Sequence, residues 1–101
     1  MANVYSTNPI VLDTFTSAID VGDTIWANSN IPIKVQSIEW QTPTTAGHTA
    51  VVTDGAGNAM FAETCTTNNQ SIIKYFDGAW IKGIKIAISG VGSGKIVITY
   101  L

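Results

Sequence analysis

Few residues in this chain could do chemistry, and they form no recognisable catalytic pattern. His48 is the single histidine, and together with Asp54 and any of the serines it supplies the residue types of a hydrolase triad. A triad also needs its nucleophile on an exposed turn, and no Gly-x-Ser-x-Gly sequence is present. We therefore predict no catalytic residues, and we expect His48 to be a loop-to-strand residue that makes an ordinary hydrogen bond.

The acidic residues and the cysteine do not have the spacing of a metal site. Asp13, Asp20 and Asp23 are close in sequence, and Ca²⁺ binds clustered carboxylates, but their spacing fits no EF-hand loop. The single Cys65 excludes an internal disulfide and has no His-Cys metal spacing around it. We predict turn-forming aspartates, a buried or half-buried structural thiol, and neither a metal nor a cofactor.

The glycine-rich segment Gly90–Gly94 resembles a phosphate-binding loop in composition only. A phosphate loop leads into a helix whose N-terminus holds the anion, whereas this segment lies between two predicted strands. The pattern is typical of a hairpin turn, and we predict a hairpin here that leads into the last strand.

Charge and composition narrow the classes of partner. The net charge is −2, and the basic residues are five lysines scattered along the chain with no arginine. Phosphate neutralisation needs a concentrated basic patch, so nucleic-acid binding is disfavoured. Charged residues are 12% of the chain, where about 25% is typical. No apolar stretch is long enough to span a membrane and no secretory signal is visible, so we predict neither membrane binding nor export.

Short β-branched runs separated by Gly, Asn, Asp and Thr predict about seven or eight strands and no convincing helix. Turn signals include Asp20–Asp23 and Asp77-Gly78, and Asp54–Asn58 is the clearest hairpin signal. We predict an all-β fold, an antiparallel β-sandwich or jelly roll, with a small barrel as the alternative. The predicted strands cover residues 10–15, 24–26, 33–41, 48–53, 59–65, 71–76, 79–88 and 95–101.

One predicted strand, Ile33 to Gln41, changes the face on which its apolar residues lie. Ile33 and Val35 share one face, whereas Ile38 and Trp40 share the other. This change near Gln36-Ser37 predicts a β-bulge or a strand that crosses from one sheet to the other, as sandwiches use at their corners.

The chain divides into an extended N-terminal arm, residues 1–8, and a single β-sandwich domain, residues 9–101. The arm is polar and reads as a segment that reaches onto a neighbouring subunit. Trp40 is predicted in the core, and the last strand, apolar on both faces, is predicted to be interior or covered by a partner. The predicted interface residues are Val4, Tyr5, Trp26, Trp80 and Leu101.

Two stretches carry a resemblance to a known class of proteins. They are Ser37-Ile38-Glu39-Trp40 with Thr42 to Asp54, and Gly83-Ile84 with Gly92 to Leu101. Their general pattern resembles the small β-proteins of tailed-phage structural modules. That resemblance implies a capsid decoration or cement protein, or less often a part of the tail or its fibres. It carries over no functional residues.

These observations lead to one expected function and several alternatives. We expect a non-enzymatic virion protein, assembled in the host cytoplasm, that binds the outer capsid surface and reinforces contacts between capsid subunits. Its expected partners are the major capsid protein and other copies of itself, a trimer being one possible form. The alternatives are a phage tail or fibre component and a carbohydrate-binding module in which Trp26 or Trp80 stacks on sugar. A small enzyme is disfavoured.

Overall fold

The computed structural model, which describes residues 3, 5, 7–28, 31–88 and 90–100, contains two antiparallel four-stranded sheets that pack face to face. The predicted all-β sandwich is confirmed. The first sheet has the strand order β1-β8-β3-β6 and the second has the order β2-β7-β4-β5. The elements are β1 (Ile10–Leu12), β2 (Ile19–Asp20), α1 (Val21–Trp26), β3 (Pro32–Gln41), β4 (Thr49–Thr53), β5 (Ala59–Thr64), β6 (Ile72–Lys82), β7 (Lys85–Ile86) and β8 (Lys95–Tyr100).

The core is formed by the inward-facing residues of both sheets, because strand side chains alternate between the two faces. Trp40 and Phe61 are the largest side chains that are completely buried, one from each sheet. Trp40 was predicted here, and its indole Nε1 donates to the Ser93 carbonyl oxygen at 2.7 Å. Ile96 and Ile98 of β8 also face inward, and β8 lies between β1 and β3, which confirms its predicted interior position.

The predicted bulge in β3 is present. The register of β3 shifts between Val35 and Ser37 against both of its neighbours, β6 and β8. Because of this irregularity, Val35 and Ile38, three residues apart, are both fully buried. A regular strand would place them on opposite faces.

The bulge in β3 faces a second irregularity in β6 that the sequence pattern misreads. Asp77-Gly78 is predicted as a turn between two strands, but β6 runs through both residues as one strand. Their φ angles are 52° and 80°, so the backbone is left-handed at each position. Gln36 on β3 therefore lies opposite the three residues 76–78 on β6, between the paired residues Val35–Ala79 and Ser37–Tyr75.

The segment Thr24–Trp26 is helical, and its prediction as a strand is wrong. Asp20 caps a short helix, its side-chain oxygen accepting from the Asp23 backbone N–H at 3.1 Å. This bond satisfies one of the unpaired donors of the first turn. Capping by the preceding aspartate therefore overrides the weak β preference of three residues, and Ile25 packs against the core from the helix.

Two further predictions near the C-terminus need correction. The predicted strand 79–88 is divided at Gly83 (φ 74°), so its first part belongs to β6 and Lys85–Ile86 forms β7 in the second sheet. Ile84 and Ile86 are buried, but Ile88 is 63% exposed because the chain turns away after β7. Gly90–Gly94 does not close a hairpin, since β7 and β8 lie in different sheets.

Two asparagines of the N-terminal segment, Asn3 and Asn8, form hydrogen bonds with distant residues of the same chain. The Asn3 side-chain oxygen accepts from the backbone N–H groups of Asp13 and Thr14, at 2.8 and 2.9 Å. Asn8 accepts from the Tyr100 N–H at 3.1 Å and donates to the Tyr100 carbonyl oxygen at 2.6 Å. Among the described residues, no helix is long and apolar enough to cross a membrane.

Replacing Trp40 should destabilise the fold far more than replacing an exposed tryptophan. Trp40→Phe leaves a cavity and removes the donor to the Ser93 carbonyl, so we expect the free energy of unfolding to fall by roughly 1–3 kcal/mol. The matched control is Trp80→Phe at a position 68% exposed, for which a change within about 0.5 kcal/mol is expected. Urea unfolding followed by circular dichroism measures both, and equal losses would contradict the assignment of Trp40 as a core anchor.

Candidate functional site

The structure brings together two of the residue types considered for a triad. His48 Nδ1 lies 2.8 Å from the Ser93 Oγ, which joins the start of β4 to the connection between β7 and β8. The loop-to-strand position and ordinary hydrogen bond predicted for His48 are both present. Gly92 comes so close to His48 that a Cβ added to this glycine would lie 2.8 Å from the His48 Cβ. Only glycine fits without displacing the imidazole or the backbone.

Ser93 is held by groups other than His48. Its hydroxyl oxygen accepts from the Thr44 backbone N–H at 2.9 Å, and its carbonyl oxygen accepts from the Trp40 indole at 2.7 Å. The side chain thus ties the loop after β3, the start of β4 and the connection into β8 together. We call this cluster of Trp40, Thr44, His48 and Ser93 the polar corner.

Asp54 is not part of the polar corner. His48 and Asp54 lie at opposite ends of β4, about 20 Å apart at the rise of an extended strand. The Asp54 carboxylate accepts from the backbone N–H groups of Asn58 and Ala56, at 3.0 and 2.9 Å. These bonds hold its pKa below the ordinary 3.8, with the Asn58 N–H the largest cause. The carboxylate therefore closes the β4–β5 turn and cannot orient His48.

The other candidate ligands are also dispersed. Asp20 caps α1, and Asp13 accepts from the Thr14 hydroxyl at 3.1 Å. The Cys65 thiol is buried and donates to the Thr67 carbonyl oxygen at 3.0 Å. Within the described part of the chain, no three His, Cys, Asp or Glu residues are grouped so that they could hold a metal ion.

The predicted interface residues lie at different places. Trp80 on β6 is 68% exposed, whereas Trp26 is 40% exposed and packs edge-on against Tyr100, with ring centroids 6.5 Å apart. Tyr5 is half-buried and packs against the core. Val4 and Leu101 lie outside the described residues.

Trp80 belongs to an exposed face that the sequence did not fully reveal. Ile73 and Tyr75 on β6 are 44% and 62% exposed, and they point away from the core as Trp80 does. On β3 their partners are Glu39 and Ser37, and the partner of Trp80 is Lys34. We call this surface the β6 face; it consists of Lys34, Glu39, Ile73, Tyr75 and Trp80, whereas Ser37, opposite Tyr75, is buried.

The opposite side of the sandwich presents a second exposed face beside the β4–β5 hairpin, where the outward-facing residues at the start of β4 and the end of β5 are uncharged. Ala50 and Val52 of β4 are buried, so Thr49 and Val51 point outward. Thr64 and Ala62, their partners on β5, are exposed beside them. We call this surface the hairpin face; it consists of Thr49, Val51, Ala62 and Thr64.

One edge strand of each sheet, β6 in the first and β5 in the second, carries a charged residue next to the core. Lys74 of β6 pairs with the fully buried Ile38, and Glu63 of β5 pairs with the fully buried Ala50. Each therefore occupies an inward-facing register position on an edge strand. The Lys74 ammonium donates across the gap to the Met60 carbonyl oxygen at 3.0 Å. Inward-facing charges on edge strands hinder pairing with a further strand.

Comparisons with known proteins add no relative: no family model matches the chain, and no curated protein or solved structure is significantly similar to it.

Removal of the Ser93 hydroxyl tests whether the polar corner stabilises the fold. Ser93→Ala removes the acceptor of the Thr44 N–H and the partner of His48 Nδ1, and we expect a loss of about 1–2 kcal/mol in the free energy of unfolding. Ser17→Ala, at an exposed loop position, is the control and should change stability by less than about 0.5 kcal/mol. A Ser93 variant as stable as the control would mean that the corner contributes nothing to stability.

Proposed function

We propose that this protein is a non-enzymatic virion structural protein that binds the outer capsid surface and reinforces contacts between capsid subunits. The observation that carries the proposal is the presence of two uncovered faces on opposite sides of one small sandwich. A protein that reinforces an assembly must contact at least two neighbours at once, and the β6 face and the hairpin face offer two separate surfaces for this.

The electrostatics of the hairpin face suit a large contact with another protein. Burying a charge at an interface requires its desolvation, which often cancels the attraction gained from a partner charge. The hairpin face consists of threonine, valine and alanine, so it incurs little of that cost. We therefore assign this face to the major capsid protein.

The architecture is compatible with the proposal. The chain crosses between the two sheets at every connection except the β4–β5 hairpin, an arrangement compatible with a jelly roll. Viral capsid proteins and lectins both use that architecture. Because one fold hosts many functions, the fold agrees with a capsid protein and with a lectin alike, and the exposed faces carry the proposal.

The location of the protein in particles tests the proposal. Virions purified from the virus that encodes this chain should contain many copies of it, measured by quantitative mass spectrometry against the major capsid protein. Labelling with antibody should mark the head. Label confined to the tail would favour the alternative of a tail or fibre component, and protein found only free in the lysate would overturn both.

A charge placed on the hairpin face should prevent binding to the capsid. We expect Ala62→Glu to weaken binding to particles that lack the protein by at least about tenfold, since a desolvated unpaired carboxylate is costly. The matched control is Ala56→Glu, an exposed alanine in the turn of the same hairpin. Cosedimentation measures both variants, and equal binding would exclude the hairpin face as the contact.

A carbohydrate-binding module is a second candidate, favoured by the exposure of Tyr75 and Trp80 on one face. Aromatic rings on a sheet surface can stack on sugar rings, because each presents a broad apolar surface. A glycan array read with the wild type and with Trp80→Ala tests it. Signals that depend on Trp80 would support this function, and silence of the wild type would remove it.

A further inference from the structure

The charges on the β6 face occupy positions that suit pairing with an identical face. Lys34 and Glu39 both point outward, since each lies between two buried residues of β3. The exposed Trp80 lies opposite Lys34, and the exposed Ile73 lies opposite Glu39. One end of the face therefore carries a cation beside an aromatic ring, and the other end carries an anion beside an aliphatic side chain.

A two-fold rotation makes these ends complementary. In an isologous interface, residue i of one copy contacts residue j of the second, and j contacts i. With the axis across the strands near Ser37, Lys34 of each copy faces Glu39 of the other, and Trp80 faces Ile73. Tyr75, paired with Ser37, lies close to the axis in both copies. Stacked sheets are about 10 Å apart, a distance that facing lysine and glutamate side chains can span together.

We propose that two copies of this chain pair through their β6 faces, with the Lys34 and Glu39 charges fixing the register. The pairing rests on the proposed function in one respect, since it assigns the β6 face to a second copy and leaves the hairpin face for the capsid. The dimer itself forms without any capsid, so it can be tested in solution.

The edge of the sheet favours pairing through the face. Addition of a strand to β6 is hindered by the inward-facing Lys74 and by the left-handed residues Asp77 and Gly78 in the middle of that strand. Contact through the face avoids both obstacles.

Charge reversal provides the decisive test. We expect the wild type to sediment as a monomer–dimer mixture, and Lys34→Glu or Glu39→Lys alone to weaken the dimer by at least about tenfold, because each opposes like charges. The double variant K34E/E39K should recover dimerisation. An equimolar mixture of the two single variants should form a heterodimer, since both charge pairs are then restored between the chains.

Apolar variants keep the test valid should a charge variant fail to fold. Trp80→Ala removes an exposed side chain outside the core and should weaken the dimer. Ile88→Ala, at a position that is also exposed, at 63%, but lies off the β6 face, should leave it unchanged. Circular dichroism verifies the fold of each variant.

The possible outcomes separate this inference from the proposed function. A wild type that is monomeric at every concentration, a trimer, or single variants that dimerise as the wild type does would each overturn the pairing. None of these results would affect incorporation into particles. Conversely, the protein could dimerise as the charge variants predict and yet be absent from virions. That result would support the pairing and refute the proposed function.

Discussion

The structure depends on the irregularity at which Gln36 of β3 faces residues 76–78 of β6. Without it, Ile38 and Trp40 would point to solvent while Ile33 and Val35 remained in the core. Burial of a large apolar side chain contributes roughly 1.5–3 kcal/mol, and the two residues together represent a large part of the 5–15 kcal/mol typical of a domain. The bulge is therefore a condition for a closed core.

The same irregularity forms the β6 face. Lys34 and Glu39 are five residues apart, as are Tyr75 and Trp80, and an odd separation in a regular strand places side chains on opposite faces. All four point outward because a bulge intervenes in each strand. The core and the proposed self-interface thus have a common origin, since the register shift that returns Ile38 to the interior also brings both charges to one surface.

The sequence pattern predicted the bulge in β3 but not the matching irregularity in β6. In β3 the apolar pattern changes face within nine residues, and that change predicted the bulge. In β6 the compensating residues are Asp77-Gly78, which locally have the composition of a turn. Only the pairing with β3 makes them part of a continuous strand, and pairing between distant segments is not encoded in a local window.

Long-range pairing also explains what was missed in the candidate site. Trp80 was identified because tryptophan often anchors interfaces, but Ile73 and Tyr75 read as ordinary strand residues. Their exposure depends on the position of β6 at the edge of the first sheet. Likewise, the contact between His48 and Ser93 joins residues 45 positions apart, and the same two residue types that suggest a triad form a structural corner instead.

A surface with few charges limits how this protein can recognise a partner. Apolar and hydroxyl groups contribute contact energy but discriminate poorly between orientations, whereas opposed charges penalise the wrong register. With Lys34 at one end of the β6 face and Glu39 at the other, a parallel stacking of two copies opposes like charges at both ends. An antiparallel stacking pairs unlike charges at both. Two charges are therefore sufficient to select one orientation, and a chain with a low charge content can still associate specifically.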